Sequence, residues 1–162
     1  TKGLRVFQES TKLRSLLQAV NEHRTKPLLV KMPPYKSEEG TDENALNLGR
    51  ICMEEKVEGL TVSNTMPIEH KGLAIGQGGL SGSPLFENTI SMVQSYKNEF
   101  GNKIEINACG GISNGRQAYD ALKSGATSIQ ILTSLIYEGP RVVQNINRKL
   151  NELFIEIGDP RA

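Results

Sequence analysis

Leu13, Leu16, Leu17 and Val20 recur at helical spacing near the start of the chain. They predict a helix over residues 9–23, with Ser10 as its N-cap. Residues 27–32 form a short continuous apolar run, the pattern of a buried parallel strand, broken only by Lys31 and stopped by Pro33 and Pro34. A polar loop is expected at 35–40. A helix follows at 42–56, with Thr41 as cap and Leu48, Ile51 and Cys52 facing inward. A second strand at 59–65 ends in Ser63, Asn64 and Thr65. Residues 66–84 carry Gly72, Gly76, Gly78, Gly79 and Gly82 and read as one long loop. Next come a helix over 85–100, a strand over 103–109, and a helix over 115–124 stopped by Gly125. A strand over 127–132 leads to a last helix that starts at Gly139 and Pro140, with Val142, Val143, Ile146, Leu150 and Leu153 as its stripe.

A leading helix and four strand–helix units in this order predict an α/β fold with a parallel sheet and right-handed crossovers. Four units are half of a (β/α)₈ barrel, and 162 residues fall short of the roughly 250 of a complete one. The expectation is a partial TIM barrel over residues 1–162, one domain. In such folds chemistry gathers at the C-terminal strand ends. Here those ends carry Lys31, then Ser63-Asn64-Thr65, then Gly110-Gly111, then Thr133-Ser134. An adjacent glycine pair after a strand allows a close backbone approach. With the hydroxyls of Thr133 and Ser134, it suggests a phosphate site.

Composition narrows the partners. Nineteen Lys and Arg against eighteen Asp and Glu give no reason to expect nucleic acid. Cys52 and Cys109 lack metal-ligand spacing and suit a reducing compartment. No apolar run approaches the roughly 18 residues of a membrane span, so the chain itself is expected to be soluble. The opening Thr1-Lys2-Gly3-Leu4-Arg5 reads as the middle of a loop, as in a piece of something longer.

Lys31 is the only charge in an apolar strand. It calls for an anionic partner unless its head reaches water at the rim. Asn64 offers a donor and an acceptor to a small polar ring, or forms a turn with Pro67 nearby. Gly78-Gly79-Leu80-Ser81-Gly82 reads as a backbone cradle or as a flexible loop. Cys109 reads as a small packed thiol, and His23 and His70 as exposed. No acid–base dyad or metal set is evident.

Taken together, Thr1-Lys2-Gly3-Leu4-Arg5, Leu29-Val30-Lys31, Val62-Ser63-Asn64-Thr65, Gly78-Gly79-Leu80-Ser81-Gly82, Gly110-Gly111-Ile112, Gln130-Ile131-Leu132-Thr133 and Glu138-Gly139-Pro140 resemble the C-terminal half of dihydroorotate dehydrogenase. The resemblance implies FMN as cofactor. Lys31 would lie against the pyrimidine end of the flavin and favour the reduced anion as hydride arrives at N5. Ser63, Ser81 and Gly82 would contact the cofactor, and Gly110, Gly111, Leu132 and Thr133 would hold its phosphate. Leu132 stands where that family more often has an aromatic residue or a glycine. Asn64 and Thr65 would bind dihydroorotate or orotate. Thr1–Arg5 and Gly78–Gly82 look like the quinone-linked class, associated with the inner membrane through a region absent here. Lys31-Met32-Pro33-Pro34-Tyr35 looks more like the cytoplasmic, fumarate-linked class. The quinone-linked class is preferred.

The catalytic base of that family, a Ser or Cys, would lie just before Thr1, so this chain is not expected to turn over alone. Two rivals stand beside this. One is another phosphate- or FMN-binding barrel enzyme. The other is a non-catalytic half-barrel that self-associates through its open edges into a homo-oligomer.

Overall fold

A computed structural model describes residues 6–34 and 42–158. The expectations for Thr1 to Arg5, for the loop at 35–40 and for a Thr41 cap fall outside those residues. The elements are α1 (Ser10–Asn21), β1 (Leu29–Lys31), α2 (Glu43–Glu54), β2 (Gly59–Val62), β3 (Met66–Glu69), β4 (Gln77–Leu80), a 3₁₀ turn (Ser83–Leu85), α3 (Phe86–Phe100), β5 (Glu105–Cys109), α4 (Gly115–Lys123), β6 (Ser128–Gln130), α5 (Thr133–Glu138) and α6 (Arg141–Ile157). Strands β1, β2, β5 and β6 form one parallel sheet in chain order.

Side chains alternate across a sheet, and the register sorts this one into two unlike faces. Val30, Leu60, Ile106 and Ala108, Ile129 share the face that packs against the helices. Lys31, Thr61, Asn107 and Ser128 align in one row on the opposite face. That row is polar and partly tied together. Asn107 Nδ2 donates to Thr61 Oγ1 at 3.4 Å, and Ser128 Oγ donates to Asn107 Oδ1 at 3.2 Å.

The helices close the apolar face. Gly49 on α2 lets Tyr96 and Phe100 of α3 pack directly on its backbone, where a Cβ would lie 2.9 Å from either ring. The buried Tyr96 hydroxyl donates to the Ala45 carbonyl at 2.9 Å. Gly115 of α4 takes Lys149 of α6 in the same way, and Tyr119 meets Phe154 with ring centroids 5.9 Å apart.

Several local expectations are corrected. Ser10 does not cap α1: the cap position is Glu9, with no side-chain bond, while Ser10 Oγ accepts from Asn47 Nδ2 at 2.9 Å and ties α1 to α2. Asp42 caps α2, accepting from the N–H groups of Asn44 and Ala45. Strand β1 is not covered on both faces, because it lies at the edge of the sheet and leaves Leu29 48% exposed. Leu16 and Val143 are exposed rather than packed. Residues 66–80 are not a loop but an antiparallel hairpin, with Pro67 opposite Gly79. Proline is tolerated there because a two-stranded ribbon is all edge. A short helix, α5, stands between β6 and the last helix.

The N-terminal ends of β1 and β2 are fixed by charge. Arg24 Nη1 donates to both Glu58 carboxylate oxygens at 2.9 and 2.6 Å, and its guanidinium also reaches the Lys26 and Lys56 carbonyls. Glu58 Oε2 in turn accepts the Leu28 N–H at 2.9 Å. That N–H, and then Arg24, hold the Glu58 carboxyl below the usual carboxylate range. A depressed carboxyl adds stability above its unfolded pKa and loses it as pH falls through the folded one. Glu58→Gln is therefore expected to lower Tm at neutral pH, with the deficit shrinking as pH drops below about 4. Thermal melts of both proteins from pH 7 to pH 3 check this; a constant deficit would contradict it.

Candidate functional site

The C-terminal ends of β1, β2, β5 and β6 converge with residues 81–83, which follow β4. They enclose a cavity of about 300 Å³. Lys31, Ser63, Ser81, Gly82, Gly110, Gly111, Leu132 and Thr133 all line it, as does Thr65. Asn64 does not. It lies on an adjoining groove that Lys31 and Thr65 also border. Its Oδ1 accepts the Thr65 N–H at 2.8 Å, so the acceptor serves a turn. Gly79 packs against Thr65, and a Cβ there would meet Thr65 Oγ1 at 2.4 Å. The hairpin is thus seated on the end of β2.

Ser63 is almost fully buried. Its N–H donates to the Cys109 carbonyl at 2.6 Å, which joins the ends of β2 and β5, while the Asn64 N–H donates to Met32. Lys31 is exposed, with Nζ 3.7 Å from Cys109 Sγ, and enters no ion pair among the described residues. Its ammonium is available at the cavity wall. Cys109 is not a fully packed thiol: it is half-buried and lines the cavity. Gln130, Tyr137 and Glu138 also line it and were not anticipated. Gln130 carried a signal, since alternation with Ile129 and Ile131 sets it on the polar face. Tyr137 and Glu138 lie in α5, which the hydrophobic pattern did not reveal.

The glycine pair is required for a different reason from the one expected. Gly110 has φ +139 and Gly111 φ +73, values that favour glycine. The space their side chains would need belongs to α3, not to the cavity. A Cβ on Gly111 would sit 2.4 Å from the Phe86 nitrogen, and one on Gly110 2.5 Å from Thr89 Oγ1. The loop is pressed between the first turn of α3 and the cavity. Its far end is anchored at α4, where Asn114 caps the helix and Gln117 Oε1 accepts from Ser113 and from Asn114 Nδ2. Ser134 Oγ donates to the Ile112 carbonyl and ties α5 to the same loop.

These donors suit an anionic group at one end of the cavity and a polar ring near Lys31. No set of three or more His, Cys, Asp or Glu among the described residues is placed to hold a metal. A model of the dihydroorotate dehydrogenase family matches residues 1–154. The chain belongs to that family. It is 37% identical to dihydroorotate dehydrogenase (quinone) of Pseudarthrobacter chlorophenolicus over 93% of this chain and 45% of the relative. With the enzyme of the same name from Myxococcus xanthus, identity is 36% over 98% of this chain and 44% of the relative. The crystal structure of ligand-free type DHODH from Eimeria tenella superposes with a TM-score of 0.83 at 29% identity, covering 98% of this chain and 50% of that one. The chain therefore spans about half the length of the relatives it matches, in keeping with a partial TIM barrel.

Two predictions follow from this packing. Gly111→Ala is expected to destabilise the chain by roughly 3 kcal/mol, from the positive φ and the clash with Phe86 together. Gly139→Ala, at the same φ but in open space, should cost roughly 1–2 kcal/mol. Urea unfolding distinguishes the two, and equal losses would mean that α3 does not press on the loop. Burial pushes the Cys52 thiol up to about 12. Iodoacetamide at pH 8 should therefore modify Cys109 alone in the folded protein and both cysteines in urea, as read by peptide mass.

Proposed function

We propose that this chain is the C-terminal half-barrel of an FMN-dependent dihydroorotate dehydrogenase of the quinone-linked class, which oxidises dihydroorotate to orotate in pyrimidine synthesis. The observation that carries this is the cavity itself. In a chain of this family, all eight residues assigned to the flavin, from four strand ends and the segment after β4, border one cavity. The quinone in the names of the relatives supports quinone as acceptor. No helix among the described residues is long and apolar enough to cross a membrane.

The residues present fit FMN. Gly110 and Gly111, with Leu132 backbone and the Thr133 hydroxyl, would take its phosphate, because backbone N–H groups and a hydroxyl donate to an anion without needing a second charge. Ser63, Ser81 and Gly82 would border the ring. When bound, FMN supplies the hydride acceptor. Lys31 would lie at the ring's pyrimidine end, where a fixed positive charge stabilises negative charge that develops nearby. Thr65 and the Asn64 amide nitrogen would meet the substrate, Asn64 Oδ1 being used by the turn.

A fluorescence titration with FMN and riboflavin tests this. Thr133→Ala is expected to weaken FMN about tenfold and leave riboflavin unchanged, since only FMN carries the phosphate. Bound FMN should also shield Cys109 from alkylation. Equal effects on both flavins, or no quenching by FMN, would overturn the assignment.

A further inference from the structure

Behind the glycine pair lies a hydroxyl with no use in its own helix. Thr89, in the first turn of α3, is completely buried. A helical threonine ordinarily turns its hydroxyl onto the carbonyl one turn back. Thr89 Oγ1 does not, and it has no hydrogen-bond partner among the described residues. It is aimed at Gly110 instead, 2.5 Å from where a Cβ on that residue would lie. A buried hydroxyl left unpaired is unfavourable, so a state that pairs it is favoured.

The peptide that could pair it is narrowly defined. The Cys109 carbonyl is already taken by the Ser63 N–H, whereas the Gly110 carbonyl accepts none of the N–H groups of the surrounding turns. In a trans peptide the Gly110 carbonyl and the Gly111 N–H point in opposite directions. The Cβ positions of the pair face α3, while both glycines also line the cavity. A carbonyl turned toward Thr89 therefore sends the Gly111 N–H into the cavity, toward an anion. The opposite orientation would present an oxygen to that anion and repel it. Glycine is free to adopt either orientation, so the choice falls to whatever lies behind it.

We propose that Thr89 is a positioning residue for the phosphate site: its hydroxyl donates to the Gly110 carbonyl when an anion accepts the Gly111 N–H, and so holds that peptide in its binding orientation. This rests on the cavity being a phosphate site. It does not require that the phosphate belong to a flavin.

The test uses Thr89→Val, which keeps the shape and removes the hydroxyl, and Thr89→Ser, which keeps the hydroxyl. Inorganic phosphate is titrated into the labelled chain, and the Gly111 amide and Gly110 carbonyl resonances are followed by NMR. Wild type and Thr89→Ser should shift both resonances. Thr89→Val should bind phosphate about tenfold more weakly without moving the Gly110 carbonyl, while its thermal stability without phosphate is unchanged or higher. A merely structural threonine would lower that stability and leave phosphate affinity alone. A Gly110 carbonyl that moves equally in Thr89→Val overturns the proposal, as does a wild-type chain that ignores phosphate. A chain that answers to phosphate but not to FMN overturns the flavin assignment, and the role of Thr89 then stands or falls on the Thr89→Val comparison alone.

Discussion

The site depends on a single shared space. The first turn of α3 and the glycine loop after β5 are pressed so closely that a Cβ on Gly111 would lie 2.4 Å from the Phe86 nitrogen. The glycine-lined wall of the cavity is referenced to that contact. Helix α3 is itself fixed by Tyr96 and Phe100 over Gly49 of α2. The loop is fixed at its other end by the Asn114 and Gln117 cap of α4. Core packing thus sets the position of the loop backbone, in keeping with the low tolerance of close-packed interiors for displacement. Glycine at these positions is a packing requirement first, and openness to a ligand follows from it.

The second organising feature is the unlike character of the two sheet faces. One face is buried by helices and apolar. The other carries Lys31, Thr61, Asn107 and Ser128 in a row. A single charge in an apolar strand is costly when buried, but Lys31 is on the open face of an edge strand, where its ammonium stays hydrated. The same edge exposes Leu29.

Much of the fold was legible because strand and helix periods differ so clearly. Each of the four parallel strands lies within its predicted span, and the order of strand-end motifs carried the family. The rest was hidden for physical reasons. The hairpin was missed because Gly78 and Gly79 supply no alternation, and Pro67 argued against a strand in a place where only edges exist. Helix α5 was missed because its six residues are too few to show a helical period. Leu16 and Val143 sit on the correct helical stripes, yet no described residue fully covers the stripe margin where they lie. That the strand-end residues other than Asn64 line one cavity was legible, since strand ends converge in this architecture. Their individual duties were not. The commitment of Asn64 Oδ1 to a turn and the thiol contact of Lys31 depend on side-chain directions that spacing does not carry.

The span of the cavity has an energetic consequence. It is lined from Lys31 on one edge strand to Gln130 on the other, across all four parallel strands. A ligand that engages both ends binds only when these strands are in register. It therefore stabilises the sheet by mass action, by RT ln(1 + [L]/Kd), and not merely the loop it touches. Unpaired edge strands are where a sheet of this kind frays first. The assigned flavin, with its phosphate at the β5 and β6 ends and its ring toward β1, would clamp those edges from the cavity side. On this account cofactor binding and the integrity of the half-barrel are thermodynamically coupled, and any change that loosens the α3–glycine contact must weaken both.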